Sequence, residues 1–194
     1  MILAFGHQSR VGKDTCAAHV VATLGPDVAV RRAFAEPLKR ISYDLFRRYG
    51  LMTADFYERP ENARLRDVPL PVVEKSPVQL WIEVGQKMRE VYPGVWRDAA
   101  LDAPRGDRLL VLSDLRFQNE ADAVRDRGGW CVKVVRPGNP VKASDAMIDP
   151  DFRWDAVIEN TGTVEELQAK AMNVAKDYLR RWSGRFKCVR KEES

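Results

Sequence analysis

The chain has 194 residues, 45% hydrophobic and 31% charged, with a formal net charge of +4. That length suits one α/β domain with a small insertion and a real core. The mild positive charge suits anionic ligands without indicating nucleic acid. Three scattered cysteines and two histidines argue against a disulfide framework, a zinc site or a histidine metal centre. No apolar run approaches the ~20 residues of a membrane span, so a soluble, cytoplasmic protein with no membrane partner is expected.

In chain order, Met1 to Phe5 is a short apolar run, read as a strand rather than a signal peptide. It enters the loop Gly6-His7-Gln8-Ser9-Arg10-Val11, and Gly12-Lys13 then opens a segment of helical spacing. Strand, loop, Gly-Lys and helix is the context of a phosphate-cradling P-loop. The first N–H groups of a helix lack intrahelical partners and, with the helix dipole, attract an anion. Arg10, Val11, Gly12, Lys13, Asp14 and Thr15 are the candidate ATP-binding residues, Lys13 supplying a mobile charge and Thr15 a hydroxyl. The usual motif has four residues between its first Gly and Gly-Lys. Gly6 and Gly12 are separated by five, so either the loop is one residue longer or His7 takes the first glycine position. Asp14 stands where Ser or Thr normally reaches Mg²⁺.

Ala17, Val20, Val21 and Leu24 give the helix one buried face, and Gly25-Pro26 ends it. A second strand is expected from Val28 to about Phe34. The next helix starts at Glu36-Pro37, carries Leu38, Ile41, Leu45 and Phe46 as its stripe, and stops at Gly50. Residues 51–75 show no clear period, and Arg59, Arg64 and Arg66 lie among Pro60, Pro69 and Pro71. Such a stretch is either disordered or a functional flap, whose arginines could reach phosphate bidentately. Ser76-Pro77 is an N-cap followed by Pro, and Trp81, Val84, Gly85, Met88 and Val91 make the expected buried face of the helix it starts. Gln86 and Arg89 are neighbours elsewhere on that helix, and its exposed face could pair two subunits as a homodimer. Trp96 opens a short helix to Leu101.

After a turn at 105–108, Leu109-Leu110-Val111-Leu112 reads as a central parallel strand buried on both faces. It ends in Ser113-Asp114, and ligands of open α/β sheets bind beyond such carboxyl ends. Asp114 is therefore a candidate to hold Mg²⁺ through water, with a helix cap as its plain structural role. A helix over about 119–127 and a strand from Trp130 to Val135 follow. Arg136-Pro137-Gly138-Asn139-Pro140 begins an irregular connection through Asp155, and Ala156-Val157-Ile158 is the last strand. Thr163 and Glu166 form a capping box for a final helix with Leu167, Ala171, Val174, Ala175 and Tyr178 on its apolar face. Beyond Leu179 come Arg180, Arg181, Arg185, Lys187, Arg190 and Lys191, read as a solvated or frayed terminus in preference to a nucleic-acid contact. The alternation of strands and helices predicts a three-layer α/β/α fold with a parallel sheet, the strands before Gly6 and Asp114 being neighbours.

Four stretches carry a more specific likeness: Gly12-Lys13-Asp14-Thr15, Phe34-Ala35-Glu36-Pro37-Leu38-Lys39, Leu112 through Ala121 (LSDLRFQNEA), and Val157 through Thr163 (VIENTGT). In them the chain resembles, up to about residue 180, the deoxynucleoside monophosphate kinases of tailed bacteriophages. The resemblance implies a single P-loop kinase domain over 1–194 with a five-stranded parallel sheet, an NMP-binding insertion at about 51–104 and a lid at about 136–154. It implies transfer of the ATP γ-phosphoryl group to a dNMP, with Mg²⁺, for phage DNA precursor synthesis. Phe34, Lys39, Gln86, Arg89 and Trp96 would then border the acceptor, with Arg64, Asp114 and Asn119 also assigned to it. Arg116 would lie between the two nucleotides, Arg136 in the lid, and Asn160 near the adenine. Lys13, Arg89, Arg116 and Arg136 become the candidate catalytic cations, and Asp14 and Asp114 the candidate metal ligands. A His-x-Ser-Glu stretch often found after the lid strand in that family is replaced by Lys142-Ala143-Ser144-Asp145, to which no role is assigned. The competing readings are a P-loop kinase for another small acceptor, such as dephospho-coenzyme A, and a nucleotide-dependent nucleic-acid-binding accessory protein.

Overall fold

The computed structural model describes residues 1–104, 106–140 and 148–189, with side chains as far as Ser183. Arg105, Lys142 to Asp145, Arg190 and Lys191, and the side chains of Arg185, Phe186 and Lys187, lie outside the described set. The chain divides into two compact units, residues 1–33 with 104–194, and residues 34–103.

The first unit is built on a five-stranded sheet ordered β2-β3-β1-β4-β5, with every pairing parallel. The strands are β1 (Ile2–Gly6), β2 (Ala29–Arg32), β3 (Leu109–Leu115), β4 (Trp130–Val135) and β5 (Ala156–Glu159). Helix α1 (Lys13–Leu24) and α7 (Val164–Val189), counted with the helices below, pack on one face. Leu3, Phe5, Val111, Val132 and Val134 alternate onto that face and meet Cys16, Ala17, Val20, Leu167, Ala171 and Ala175. Each large side chain so buried contributes roughly 1.5–3 kcal/mol. The opposite face carries α6 (Gln118–Asp126), whose Ala121 carbonyl accepts from the Cys131 thiol. Three layers result, as the alternation of elements predicts.

The predicted starts hold because the local chemistry is unambiguous. Thr163 and Glu166 exchange hydrogen bonds at 3.1 and 3.2 Å at the head of α7. Buried between sheet and helix, the Tyr178 hydroxyl accepts from the Ile2 N–H at 2.9 Å and donates to the Gly128 carbonyl. Two boundaries differ from expectation. α7 does not fray at Leu179 but runs to Val189, with Arg181 stacked 4.9 Å from the Trp130 ring centre and Arg180 paired with Asp177. β3 continues through Ser113-Asp114 to Leu115, because its pairing with β1 slips there: Ala4 faces Leu112, but Gly6 faces Leu115. The extra residue is a bulge, a device that re-aims side chains.

The second unit is helical. α2 (Ala35–Phe46) leads through a 3₁₀ turn to Gly50, and α3 (Ala54–Glu58), a 3₁₀ turn at Ala63–Asp67, α4 (Pro77–Val91) and α5 (Val95–Leu101) follow. Residues 51–75, expected to lack regular structure, thus hold two short helical turns around a small core of Leu51, Tyr57, Leu70 and Leu80. α4 opens on the expected Ser76 cap, with Gln79 completing a capping box. Its buried face differs from the expected stripe: Pro77, Leu80 and Gly85 are buried, whereas Val91 is 81% exposed.

Candidate active site

The site begins where β1 ends. The backbone turns left-handed at His7 (φ 92°), again at Arg10 (61°) and again at Gly12 (102°). The conformation that favours glycine therefore falls on His7, and counting from His7 to Gly12 restores the usual four-residue spacing. Of the two alternatives left by the sequence, His7 in the first glycine position is the one realised. Gly12 is required twice over, by its φ and because a β-carbon would lie 2.6 Å from Leu167 Cδ2.

No side chain caps α1. Among the described residues, the N–H groups of Arg10, Val11, Gly12, Asp14 and Thr15 find no acceptor in the turns and loops. The loop carbonyls are occupied instead. Lys13 is 5% exposed and its Nζ donates to the Gln8 carbonyl. Asn139 Nδ2 donates to the Ser9 carbonyl at 3.0 Å, and Asn160 Nδ2 to the Val11 carbonyl at 2.9 Å.

Around this loop is a cavity of about 370 Å³. Arg10, Gly12, Lys13, Asp14, Thr15 and Asn160 line it, as does Arg136 from beyond β4, while Val11 is buried behind the loop. Among the described residues no hydrogen bond or ion pair involves the Arg10 or Arg136 guanidinium group, and both residues line the cavity. Asp14 is committed elsewhere, its carboxylate pairing with Arg31 at 3.1 Å on the surface.

Asp114 lies half-buried in the β3 bulge beside β1, next to Ser113, whose fully buried hydroxyl has no partner among the described residues. Beyond the strand, the buried Glu120 carboxylate accepts from the N–H groups of Arg116 and Phe117 at 3.0 and 3.1 Å, fixing the turn. Arg116 and Asn119 are half-buried there.

The remaining expected acceptor residues belong to the second unit. Lys39 pairs with Glu58 at 3.1 Å and lies 5.4 Å from the centre of the Trp81 ring. Arg64 and Gln86 are exposed, and Arg89 is half-buried with Nη1 over Gly85, where a β-carbon would approach it to 3.4 Å. Phe34 and Trp96, expected to border the acceptor, are each only 2% exposed. Trp96 donates its indole N–H to the Gly85 carbonyl at 3.2 Å, so the ring locks α5 to α4 and offers no face to a ligand. Asn139 and Ser113 are not among the site residues expected from the sequence. Their significance lies in partners far along the chain, or in a pairing slip, and neither leaves a local pattern.

A parallel sheet of this order, with the Gly12-Lys13 loop between its central strand and α1, is the three-layer α/β/α arrangement of P-loop proteins. No protein-family model matches the chain. The chain is 26% identical over 182 residues to a protein of Acanthamoeba polyphaga mimivirus named "Putative deoxynucleotide monophosphate kinase", covering 84% of this chain and 89% of that one. It is 37% identical over 75 residues to the deoxynucleotide monophosphate kinase of enterobacteria phage T4, covering 37% of this chain and 30% of that one. Among solved structures, shikimate kinase from Aquifex aeolicus superposes with a TM-score of 0.42 at 12% identity, covering 91% of this chain and 96% of that one.

Proposed function

We propose that the chain transfers the γ-phosphoryl group of ATP to a deoxynucleoside monophosphate, giving the diphosphate and ADP as a step of viral DNA precursor synthesis. One observation carries the reading: loop N–H groups that find no acceptor among the described turns and loops, together with Arg10 and Arg136, surround one cavity with Lys13 beneath it. That is an anion site suited to a polyphosphate. The names of the two viral relatives support the acceptor class.

In this reaction an oxygen of the acceptor phosphate bonds to the γ-phosphorus, and the bond from that phosphorus to the β,γ-bridging oxygen breaks. The electron pair leaves with ADP. The acceptor is already anionic at neutral pH, so no strong base is needed, and catalysis is positioning plus charge neutralisation. The loop N–H groups and Lys13 take the ATP phosphates, with Lys13 leaving the Gln8 carbonyl to do so. Arg136 and Arg116 neutralise the transferring group. Asn160 borders the ATP site. Lys39, Arg64, Gln86 and Arg89, all of the second unit, are assigned to the acceptor.

Among the described residues no cluster of three His, Cys, Asp or Glu side chains could cage a metal. Mg²⁺ arriving with ATP would be held largely by phosphate oxygens and water, and Asp114 and Thr15 are the residues that would hold it here, since Asp14 is paired with Arg31. Mg²⁺, when bound, would supply neutralising charge to the ATP phosphates. Among the described residues no helix is long and apolar enough to cross a membrane.

ADP release from ATP and Mg²⁺ with each of the four deoxynucleoside monophosphates, their ribose counterparts and no acceptor tests the proposal. Turnover that depends on a nucleoside monophosphate is expected. Hydrolysis indifferent to the acceptor, or no turnover, overturns it.

A further inference from the structure

We infer that Asn139 is a positioning residue for the phosphate loop: its amide holds one loop carbonyl away from the cavity and thereby aims the following N–H into it. The inference rests on the reading that this loop binds ATP phosphates.

A planar trans peptide points the carbonyl of one residue and the N–H of the next in opposite directions. Fixing a carbonyl therefore fixes the N–H behind it. Three carbonyls of this loop are fixed: Gln8 by Lys13 Nζ, Ser9 by Asn139 Nδ2 at 3.0 Å and Val11 by Asn160 Nδ2 at 2.9 Å. The N–H groups set by them belong to Ser9, Arg10 and Gly12, and Arg10 and Gly12 line the cavity. Both have positive φ, 61° and 102°, and such left-handed residues within a loop build an anion-binding nest of N–H groups.

A loop rich in glycine reaches this shape with little help. Here, among residues 7–12, only position 12 is glycine, and His7 and Arg10 adopt positive φ despite their side chains. Such conformations persist where the surroundings over-determine them. The two asparagine amides supply that determination from outside, one beyond β4 and one beyond β5. Lys13 cannot do so alone, since its Nζ must leave the Gln8 carbonyl to reach a phosphate. The neutral amides of Asn139 and Asn160 need no such exchange in order to hold the Ser9 and Val11 carbonyls. Asn139 is half-buried and lies outside every helix and strand, so its amide is not needed to complete a secondary-structure element.

The test compares Asn139→Asp, Asn139→Ala and Asn139→Gln with the unaltered protein. Binding of inorganic tripolyphosphate is measured by calorimetry without acceptor, and KM for ATP and for the acceptor is measured in turnover. Asp and Ala remove the donor, and each is expected to weaken tripolyphosphate binding and raise the ATP KM ~10-fold, the effect of losing one hydrogen bond and its oriented N–H. The acceptor KM should stay within about twofold. Gln keeps a donor and should bind tripolyphosphate more tightly than Ala. Unchanged affinity in Asp and Ala, equal rises in both KM values, or Gln no better than Ala overturns the inference. If the unaltered protein neither binds tripolyphosphate nor turns over ATP, the kinase reading itself fails. If it does both and the variants match it, only the positioning role fails.

Discussion

The ring of Trp154 occupies the space against the α-carbon of Gly6: a β-carbon there would lie 2.9 Å from Cη2 and 3.0 Å from the Leu115 carbonyl oxygen. The same indole meets His7 edge-on at 6.3 Å and Phe152 at 5.1 Å, and Arg125 stacks on Phe152. The last residue of β1 is therefore glycine for reasons of space, not of φ. Gly6→Ala is expected to lose about 1–3 kcal/mol, visible as a lower urea midpoint. Trp154→Leu in the same chain should recover part of that loss, a coupling that a double-mutant cycle reads directly.

Lys13 is buried with its ammonium on a backbone carbonyl. Replacing it with Met should lower kcat by ~10²–10³, the scale for removing a charge that stabilises a transition state. The thermal midpoint should hold or rise, because a buried ammonium is costly to desolvate. Turnover together with circular dichroism separates the two effects, and intact phosphoryl transfer in this variant would remove the centre of the proposed mechanism.

The two aspartates near the loop should behave differently. Asp114→Asn is expected to raise the Mg²⁺ concentration for half-maximal rate ~10-fold, consistent with loss of about one charge-assisted contact. Asp14→Asn should leave it almost unchanged, since Asp14 is engaged by Arg31. That pair is exposed and contributes under about 1 kcal/mol, so stability should move little. A magnesium titration in which Asp14→Asn has the larger effect would reverse the assignment.

Tyr178→Phe isolates structure from chemistry. The substitution removes the phenol oxygen that accepts from the buried Ile2 N–H at 2.9 Å. A loss of about 1–3 kcal/mol is expected, read from denaturant unfolding, with steady-state rates unchanged.

Cys16 and Cys131 are both fully buried, and burial is the main cause that pushes each thiol up from 9.0 to about 12. The folded state keeps these protons while the unfolded chain releases them above pH 9. Their stabilising contribution is therefore complete below pH 9 and declines from there towards pH 12. The expected slope is up to about 1.4 kcal/mol per pH unit for each thiol. Melting curves between pH 8 and 11 check it, and Cys131→Ala should flatten the decline. Iodoacetamide should leave both thiols unmodified in the native protein at pH 8.

The sequence disclosed those features whose cause is local. Ser76 with Gln79 and Thr163 with Glu166 announce their helices because a cap is made by residues three apart. Trp130–Val135 was legible from β-branched residues bounded by Gly128-Gly129 and Pro137. The turns at 54–58 and 63–67 were not, since neither is long enough to repeat an apolar position. On α4, Val91 continues the apolar period and yet lies exposed, because the helix buries Leu80 and Gly85 against its neighbours rather than the whole stripe. At the candidate site the phosphate loop was plain, but the shape of the loop depends on Asn139 and Asn160. Those hydrogen bonds span 130 and 149 residues, beyond any window of periodicity.

β1 stands at the centre of the sheet, between partners that begin at Leu109 and Trp130. At ~5–20 residues per second of synthesis, Ile2–Gly6 waits many seconds on the ribosome as an apolar segment with both edges open. Residues 34–103 form a unit continuous in sequence, whereas the hydrogen bonds that hold the phosphate loop need residues 139 and 160 to have emerged. The central strand of the sheet is thus made first and paired last. Its vulnerability to aggregation is concentrated in the interval before β4 arrives.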